Sequence, residues 1–171
     1  MAPVNDDRAQ FVSLLEKHRK LLLKVCWAYG RTQHDRDDLL QDIVVRLWAS
    51  FGRYDRRRTF STWMYRVALN VAIDFRRRQE RWQRESAHLD DLDAANPAGD
   101  ANQREQWADL RELLEHQSEI DRAILLLSLE SHSYREIGEI LGISESNVGT
   151  RMSRLKKSLR QSAERELGDA I

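Results

Sequence analysis

One line of side chains on a predicted helix near the middle of the chain combines aromatic, amide and charged groups. The line lies opposite the apolar stripe of the same helix, which begins between Thr59 and Ser61. A base that has left a duplex needs a flat surface for stacking and polar groups for its exposed edge, while arginine holds the backbone. The pattern therefore predicts a surface for single-stranded DNA. Its members are Trp63, Arg66, Asn70, Asp74 and Arg77.

A second polar surface is predicted on a helix close to the C-terminus. Ser133 and Ser144 are suited to cap two successive helices, and Gly142 between them can adopt the left-handed conformation that ends the first. Helix, glycine turn and helix in this order is helix-turn-helix spacing, whose second helix enters a major groove. An ordinary helical hairpin is the alternative. The residues predicted to reach the DNA are Ser146, Asn147, Thr150, Arg151 and Arg154.

A third surface lies on the helix that follows residue 35 and mixes carboxylates with exposed apolar groups. Such a face is typical of a protein contact. The alternatives are helix-start carboxylates with a peripheral tryptophan, or a metal site formed by the nearby aspartates, which helix capping and docking explain more simply. The members of the predicted docking face are Asp38, Gln41, Asp42, Val45 and Trp48.

Groups suited to metal binding or covalent catalysis are scattered along the chain. The five histidines lie apart, no paired metal-ligand spacing occurs and no glycine-rich phosphate loop is present. We therefore expect no enzyme, no catalytic residue, no metal and no cofactor. The single cysteine, Cys26, lies in an apolar helical run and is predicted to be a buried small hydrophobe.

The elements that must position these groups are predicted to be helices throughout. Glycine and proline are scarce and alternating β-branched runs are absent, so the predicted class is all-α. Residues 85–103 hold acidic and small residues and predict a flexible linker. The chain then divides into a three-helix domain at 1–84 and a four-helix domain at 104–171 that contains the helix-turn-helix.

The helix positions follow from apolar spacing and capping residues. The first helix carries apolar residues from Phe11 to Val25, and the second is expected to be capped by Asp35 or Asp37. Ser118 and Ser133 each begin a sequence of capping-box form. The stripe predicted to be buried on the second helix is Leu40, Ile43, Val44, Leu47 and Phe51, and that on the third is Phe60, Met64, Val67, Ala68, Val71 and Phe75.

The charge distribution supports two nucleic-acid contacts in a chain whose net charge is zero. Residues 53–84 hold ten basic and three acidic side chains, whereas residues 85–103 hold five acidic and no basic ones. Residues 146–171 again carry a basic excess, with six basic and three acidic residues. Two basic segments separated by acidic ones suit a protein that touches DNA at two places.

The apolar runs of the chain are far shorter than the ~20 residues that span a bilayer. The N-terminus lacks the basic and then apolar pattern of a signal peptide. We therefore expect a cytoplasmic protein with no membrane insertion.

The motifs together resemble a known family of transcription factors. Residues 37–48, 51–55 and 59–78 resemble sigma region two, and residues 133–154 resemble region four, in the expected order. Regions one and three of larger sigma factors have no counterpart, so the chain resembles an extracytoplasmic-function (group four) RNA polymerase sigma factor of the sigma-seventy family. Where the family often has Asp-Pro, this chain has Asp55 followed by Arg56.

The resemblance implies partners and roles for the three surfaces. The docking face would contact the β′ coiled coil of core RNA polymerase, with the β subunit as a second partner, and an anti-sigma factor is expected. The third helix would capture the minus-ten element of promoter DNA, with a flipped base held between Phe60 and Asn70, and the helix-turn-helix would read the minus-thirty-five element. Besides the line already named, the implied minus-ten residues are Phe60, Ser61 and Arg78.

A rival function is a stand-alone helix-turn-helix regulator that binds an operator as a dimer. Such a protein would bind duplex DNA unaided and would have no use for the line from Trp63 to Arg77. The interpretation as a sigma factor therefore depends mainly on the first domain.

Overall fold

A computed structural model describes the backbone of residues 4–86 and 110–169, and the side chains of 7–83 and 110–161. Within these ranges the regular secondary structure is helical. The chain divides into two compact units, Met1–Glu115 and His116–Ile171. The prediction of an all-α protein with two small domains is therefore confirmed.

The first unit holds helices α1 to α5. Helix α1 spans Val4–Lys17, α2 spans Arg19–Tyr29, α3 spans Gln33–Phe51 and α4 spans Phe60–Ser86. Helix α5 is described over 110–115. The predicted first helix is two helices, because the backbone at His18 leaves the helical region (φ −108°, ψ 13°) between α1 and α2.

The core of the first unit forms where α2 and α3 pack on α4. On α3 the buried apolar residues are spaced four apart, and they are Leu39, Ile43, Leu47 and Phe51. Leu40 and Val44, which were predicted to be buried, are half-buried. Leu39 is buried instead, so the buried face of α3 is narrower than the predicted one and includes a residue that the prediction left out.

Helix α4 differs from the prediction in the same way. Phe60, Met64 and Ala68 are buried as predicted. Val67, Val71 and Phe75 are half-buried. Helices α2 and α3 both pack against α4, and the side of α4 that they cover differs from the predicted one. The remaining buried apolar residues of this helix are Tyr65, Leu69, Ala72 and Ile73.

The N-terminus of α3 is capped by Thr32, and the prediction of Asp35 or Asp37 as the cap is wrong. The Thr32 hydroxyl accepts from the Asp35 backbone N–H at 3.0 Å, and the Asp35 carboxylate accepts from the Thr32 N–H at 3.0 Å. This reciprocal pair is a capping box, in which the acidic residue stands three positions after the cap.

Helix α5 contacts the end of α2 within the first unit. Arg111 Nη2 donates to the backbone oxygens of Gly30 and Arg31, at 3.0 and 2.7 Å, which lie just beyond the end of α2. Leu114 is buried. Residues 110–115 therefore belong to the first unit by contact, although the C-terminal domain was expected to begin at 104. Residues 85 and 86 end α4, and the rest of the predicted linker at 85–103 lies outside the described residues.

The second unit contains α6 (Glu119–Leu129), α7 (Tyr134–Leu141) and α8 (Glu145–Asp169). Ser133 and Glu136 form the predicted capping box of α7, and Gly142 ends that helix in the left-handed conformation (φ 71°, ψ 31°). The Ser144 hydroxyl accepts from the Asn147 N–H at 3.1 Å at the start of α8. The buried residues that hold α7 and α8 together are Ile137, Ile140, Val148, Met152 and Leu155.

Candidate polymerase and nucleic-acid interfaces

The predicted docking face on α3 is exposed in the structure. All five of its members point away from the core, with Val45 68% exposed and Trp48 43% exposed. The Trp48 ring is held by an aromatic contact with buried Phe11, at 5.1 Å between ring centroids. The face therefore offers a fixed apolar ring and a valine among carboxylates, which is the composition expected of a protein contact.

A groove between α3 and α4 adjoins this face and brings residues of two predicted surfaces together. Arg78, predicted to bind DNA, pairs with Asp42 of the docking face at 3.3 Å. Three lining residues on α4, Phe75, Gln79 and Trp82, fall on the same helical face as Arg78 but were not among the predicted site residues. The groove is lined by Asp38, Gln41, Asp42, Phe75, Arg78, Gln79 and Trp82.

Four aromatic rings cluster where α3 ends and α4 begins. Trp63 lies 5.1 Å from Tyr54 and 5.3 Å from Phe60, and Phe51 lies 6.4 Å from both Tyr54 and Phe60, all between ring centroids. Phe60 and Phe51 are buried, whereas Tyr54 and Trp63 are half-buried. The cluster therefore joins the core to a partly open aromatic surface on which a base can stack.

The loop before α4 is closed by polar contacts instead of a proline. Arg57 makes a two-point contact with Asp55, with distances of 3.0 Å from Nε to Oδ1 and from Nη2 to Oδ2, and this hydrogen bonding lowers the pKa of the Asp55 carboxyl. The Tyr54 hydroxyl donates to the Arg58 backbone oxygen at 2.6 Å. The loop thus fixes Tyr54, a member of the aromatic cluster that the predicted site did not include.

The polar line on α4 lies outside the core as predicted. Arg66, Asn70, Asp74 and Arg77 are exposed, as is Arg78, while Ser61 and Trp63 are half-buried. Tyr65 is buried, so this ring belongs to the core of the first unit.

Within the run of three arginines on α4, Arg76 alone is buried. It pairs with Glu80 at 3.1 Å. Burial lowers the pKa of the Arg76 guanidinium, and the nearby positive charge of Arg31 lowers it further. Arg77 and Arg78 are thereby left as the outward cations of this run.

The predicted reading surface on α8 forms one shallow groove. Ser146, Asn147, Thr150 and Arg154 are exposed, and Arg151 is half-buried. Arg151 makes two contacts within the second unit: Nε donates to Asn147 Oδ1 at 3.0 Å, and Nη1 lies 2.9 Å from Asp121 Oδ1 on α6. The groove is lined by Ser144, Ser146, Asn147, Thr150, Arg151 and Arg154.

Further along α8 a second hollow continues the basic surface. It is lined by Ser153, Lys156, Lys157, Arg160 and Gln161. Three cations on one helix face suit contact with a phosphate backbone.

The described residues, 4–86 and 110–169, offer neither a metal-binding cluster nor a membrane-spanning helix. Over these residues, no cluster of three or more histidine, cysteine, aspartate or glutamate side chains is arranged to hold a metal ion. No helix in the same ranges is long and apolar enough to cross a membrane.

Family models match both units. The model described as Sigma-70 region 2 matches residues 14–82, and the model described as Sigma-70, region 4 matches residues 107–159. The first match contains the docking face, the aromatic cluster and the polar line of α4. The second contains the helix-turn-helix.

Several characterised proteins are similar to this chain. ECF RNA polymerase sigma factor SigE of Mycolicibacterium smegmatis is 30% identical over 154 residues, which cover 86% of this chain and 59% of that protein. RNA polymerase sigma factor NccH of Alcaligenes xylosoxydans is 28% identical over 90% of this chain and 86% of its own length. ECF RNA polymerase sigma factor SigW of Bacillus subtilis is 25% identical over 91% and 89%.

Two solved structures share the fold. CnrH, in complex with the cytosolic domain of CnrY, matches with a TM-score of 0.67 and 22% identity over 92% of this chain and 89% of that one. The sigma factor RpoE, in complex with the anti-sigma factor NepR from Bartonella quintana, matches with a TM-score of 0.70 and 21% identity over 94% and 98%.

Proposed function

This chain belongs to the sigma-70 family as an extracytoplasmic-function sigma factor that directs RNA polymerase to promoters, and from that premise we propose how its surfaces divide the work. The first unit binds core polymerase and captures the melted minus-ten strand. The second unit reads the minus-thirty-five duplex. Binding to the opened strand offsets the cost of melting, so no step requires a covalent reaction by this chain.

The aromatic cluster beside the polar line of α4 carries this proposal. Trp63 and Tyr54 offer half-buried rings next to exposed Arg66 and Asn70 on the following turns. Stacking on an aromatic ring is worth about 1–3 kcal/mol per base and tolerates any sequence, while the polar groups add selectivity. A regulator that binds only duplex DNA has no use for such a surface, which argues against the operator-binding alternative.

The docking face of α3 is proposed to bind the β′ coiled coil of core polymerase. Val45 and Trp48 supply exposed apolar surface, and Asp38 and Asp42 supply negative charge that suits a basic partner. The β subunit is the proposed partner near the second unit. Because both polymerase and promoter DNA are cytoplasmic in bacteria, we place the activity of the chain in the cytoplasm.

Run-off transcription with core polymerase and a randomised promoter library tests the proposal. Promoters with constrained minus-ten and minus-thirty-five elements are expected to be enriched only when the chain is added. Trp63→Ala and Asn70→Ala should reduce open-complex formation at least tenfold, which an exposed substitution elsewhere, Arg8→Ala on α1, should not do. Sequence-specific duplex binding by the chain alone, without enrichment by core polymerase, would establish the rival function.

A matched pair of valines tests the docking face. Val45→Asp should weaken the binding of core polymerase at least tenfold, because a new carboxylate would lie in the apolar contact. Val12→Asp, on the exposed side of α1, should bind core polymerase as the wild type does. Equal binding by both variants would place the polymerase contact elsewhere.

An anti-sigma factor is proposed as a further partner, acting on the same face. The proposal is supported by the exposed apolar groups of α3 and by the two similar folds, which were each solved with a bound partner. An anti-sigma domain titrated into the complex of this chain with core polymerase should release the chain. A stable ternary complex would contradict a shared face.

A further inference from the structure

We infer that Asp121 determines the base preference of the recognition helix α8 by holding Arg151 and, through it, the amide of Asn147. The inference deepens the proposed minus-thirty-five function and rests on it. It makes Asp121 and Arg151 positioning residues, and it assigns the reading of one base to the amide nitrogen of Asn147.

The first observation concerns the N-terminus of α6, where a capping box is expected and its carboxylate is turned elsewhere. At α3 and α7 the carboxylate three positions after the cap, that of Asp35 or Glu136, accepts a hydrogen bond from the backbone N–H of the cap. At α6 the Ser118 hydroxyl accepts from the Asp121 N–H at 3.2 Å, which is only half of that arrangement.

The Asp121 carboxylate has other partners. Its Oδ2 accepts from the Ser118 hydroxyl at 2.7 Å, and its Oδ1 accepts from Arg151 Nη1 at 2.9 Å. Because Asp35 closes its capping box with the same side chain at the same position, the length of aspartate does not explain the difference. The ion pair with α8 does.

The second observation is that this pair is shielded from solvent more than the interhelical pair of Asp42 with Arg78. The side chains of Asp121 and Arg151 are 22% and 36% exposed, whereas those of Asp42 and Arg78 are 52% and 64% exposed. Partial burial strengthens the attraction and limits the rotamers of a long side chain. Arg151 is therefore fixed relative to α6 and is not a freely moving cation on the DNA surface.

The third observation is the contact between Arg151 and Asn147. Arg151 Nε donates to Asn147 Oδ1 at 3.0 Å, one helical turn away, so one of the two lone pairs of the amide oxygen is used within the protein and the oxygen is directed towards Arg151. Asn147 is exposed in the groove of predicted reading residues, and its Nδ2 has no partner among the described residues. The side chain therefore presents N–H donors to the DNA.

This orientation has a direct consequence for sequence reading. A free asparagine prefers adenine, because its amide oxygen accepts from N6 while its nitrogen donates to N7. With its oxygen directed towards Arg151, Asn147 presents its N–H donors, which can serve guanine O6 or N7, thymine O4 and adenine N7, whereas the adenine or cytosine amino group meets no acceptor directed towards it. We therefore assign to Asn147 one minus-thirty-five position that lacks an adenine preference and disfavours cytosine on the strand it contacts.

Substitution of Asp121 tests this assignment in the full chain with core polymerase and a library randomised at the minus-thirty-five element. Asp121→Ala releases Arg151 and frees Asn147 Oδ1, so adenine should rise about fivefold or more, relative to the other bases, at one position. Asp121→Glu keeps the carboxylate and should retain the wild-type profile. The control Glu139→Ala removes an exposed acid of the same unit, which pairs with Arg135, and should also leave the profile unchanged.

Each result separates the possible explanations. If Asp121→Ala does not fold by circular dichroism, Asp121→Asn keeps the side-chain volume, removes the charge and carries the same expectation. An adenine gain that survives in the double variant Asp121→Ala/Asn147→Ala would overturn the route through Asn147. An unchanged profile in both Asp121→Ala and Asp121→Asn would overturn the inference, whereas no enrichment by the wild type would overturn the proposed function itself.

Discussion

The Nη2 atom of Arg78 on α4 lies 3.3 Å from Oδ2 of Asp42 on α3. The arginine belongs to the surface proposed for the minus-ten strand, and the aspartate belongs to the face proposed for polymerase. Both side chains are more than half exposed, so their attraction is screened by water and salt. Either side chain can therefore leave the pair to bind a ligand at little cost in free energy. The proposed contacts with the minus-ten strand and with polymerase are thus adjacent but only weakly coupled.

Substitution of this pair should separate function from stability. Asp42→Ala and Arg78→Ala are each expected to change the free energy of unfolding by less than about 0.5 kcal/mol, with a coupling energy below about 1 kcal/mol. Asp42→Ala should weaken core binding, and Arg78→Ala should weaken capture of a single-stranded minus-ten oligonucleotide by the holoenzyme. A double-mutant cycle by urea unfolding, with both binding assays, checks this. A coupling above about 2 kcal/mol would mean that the pair is structural.

The contact of Arg111 with the oxygens of Gly30 and Arg31 predicts a different outcome. Arg111→Ala leaves two partly buried carbonyl oxygens without their charged donor, so we expect a loss of about 1–3 kcal/mol from the first unit. Amide hydrogen exchange over residues 110–115 should also accelerate. Glu112→Ala, at an exposed position of the same helix, is the matched control and should leave both quantities unchanged. Unchanged exchange in Arg111→Ala would show that Leu114 alone holds α5.

The helical class and the two units could be predicted from local features of the sequence, namely apolar spacing and capping residues. Apolar spacing predicted α3 and α4, and Ser133, Gly142 and Ser144 predicted the ends of α7 and the start of α8. The interruption at His18 has no such signal, because neither glycine nor proline occurs there and the apolar spacing continues through it. The Thr32 cap was recoverable, since Thr32 and Asp35 stand at capping-box spacing.

The exposure of the site residues could be predicted wherever it depends only on which face of a helix a residue occupies. The five docking residues of α3 and the outward cations of α4 are exposed because they lie opposite a core stripe. Contacts between helices depend on packing, which periodicity does not contain. The pair of Asp121 with Arg151 joins residues 30 apart in sequence, and the loop contact of Tyr54 with Arg58 depends on how that loop closes.

The thiol of Cys26 should not react with thiol reagents in the folded protein. Burial raises the pKa of its thiol from 9.0 to about 12, with a smaller effect from the carboxylate of Asp37. The thiolate is the reactive form, so a disulfide reagent at pH 8 should not modify the native chain, whereas the chain in guanidinium should react with one equivalent. Rapid modification of native protein would show that α2 opens locally.

The same shift predicts how stability depends on alkaline pH. The folded state holds the proton of the Cys26 thiol more tightly than the unfolded state does. The resulting contribution of Cys26 to the free energy of unfolding is therefore fully present below pH 9 and is lost as pH rises towards about 12. Urea unfolding of wild type and Cys26→Ala between pH 8 and pH 10.5 isolates this effect. The wild type should lose stability more steeply than the variant over this range, and parallel slopes would contradict a buried thiol.

Gly138 and Gly149 predict opposite effects of the same substitution. A Cβ atom at Gly138 would lie 2.7 Å from the backbone oxygen of Ile143, so the turn between α7 and α8 would have to move. A Cβ at Gly149 would meet only the Tyr134 ring at 3.7 Å, which is an ordinary contact. Alanine gains about 1 kcal/mol of helix propensity at either position, but overpacking at Gly138 costs about 1–3 kcal/mol.

We therefore expect Gly149→Ala to stabilise the second unit by up to about 1 kcal/mol and Gly138→Ala to destabilise it, despite identical chemistry. The unfolding of the full chain followed by far-ultraviolet circular dichroism measures both changes, and hydrogen exchange in α7 and α8 locates them. Gly138→Ser adds a larger side chain at the same point and should be less stable than Gly138→Ala. A stabilising Gly138→Ala would mean that the turn relaxes freely, and the close approach of α7 to Ile143 would then have no energetic role in setting the recognition helix.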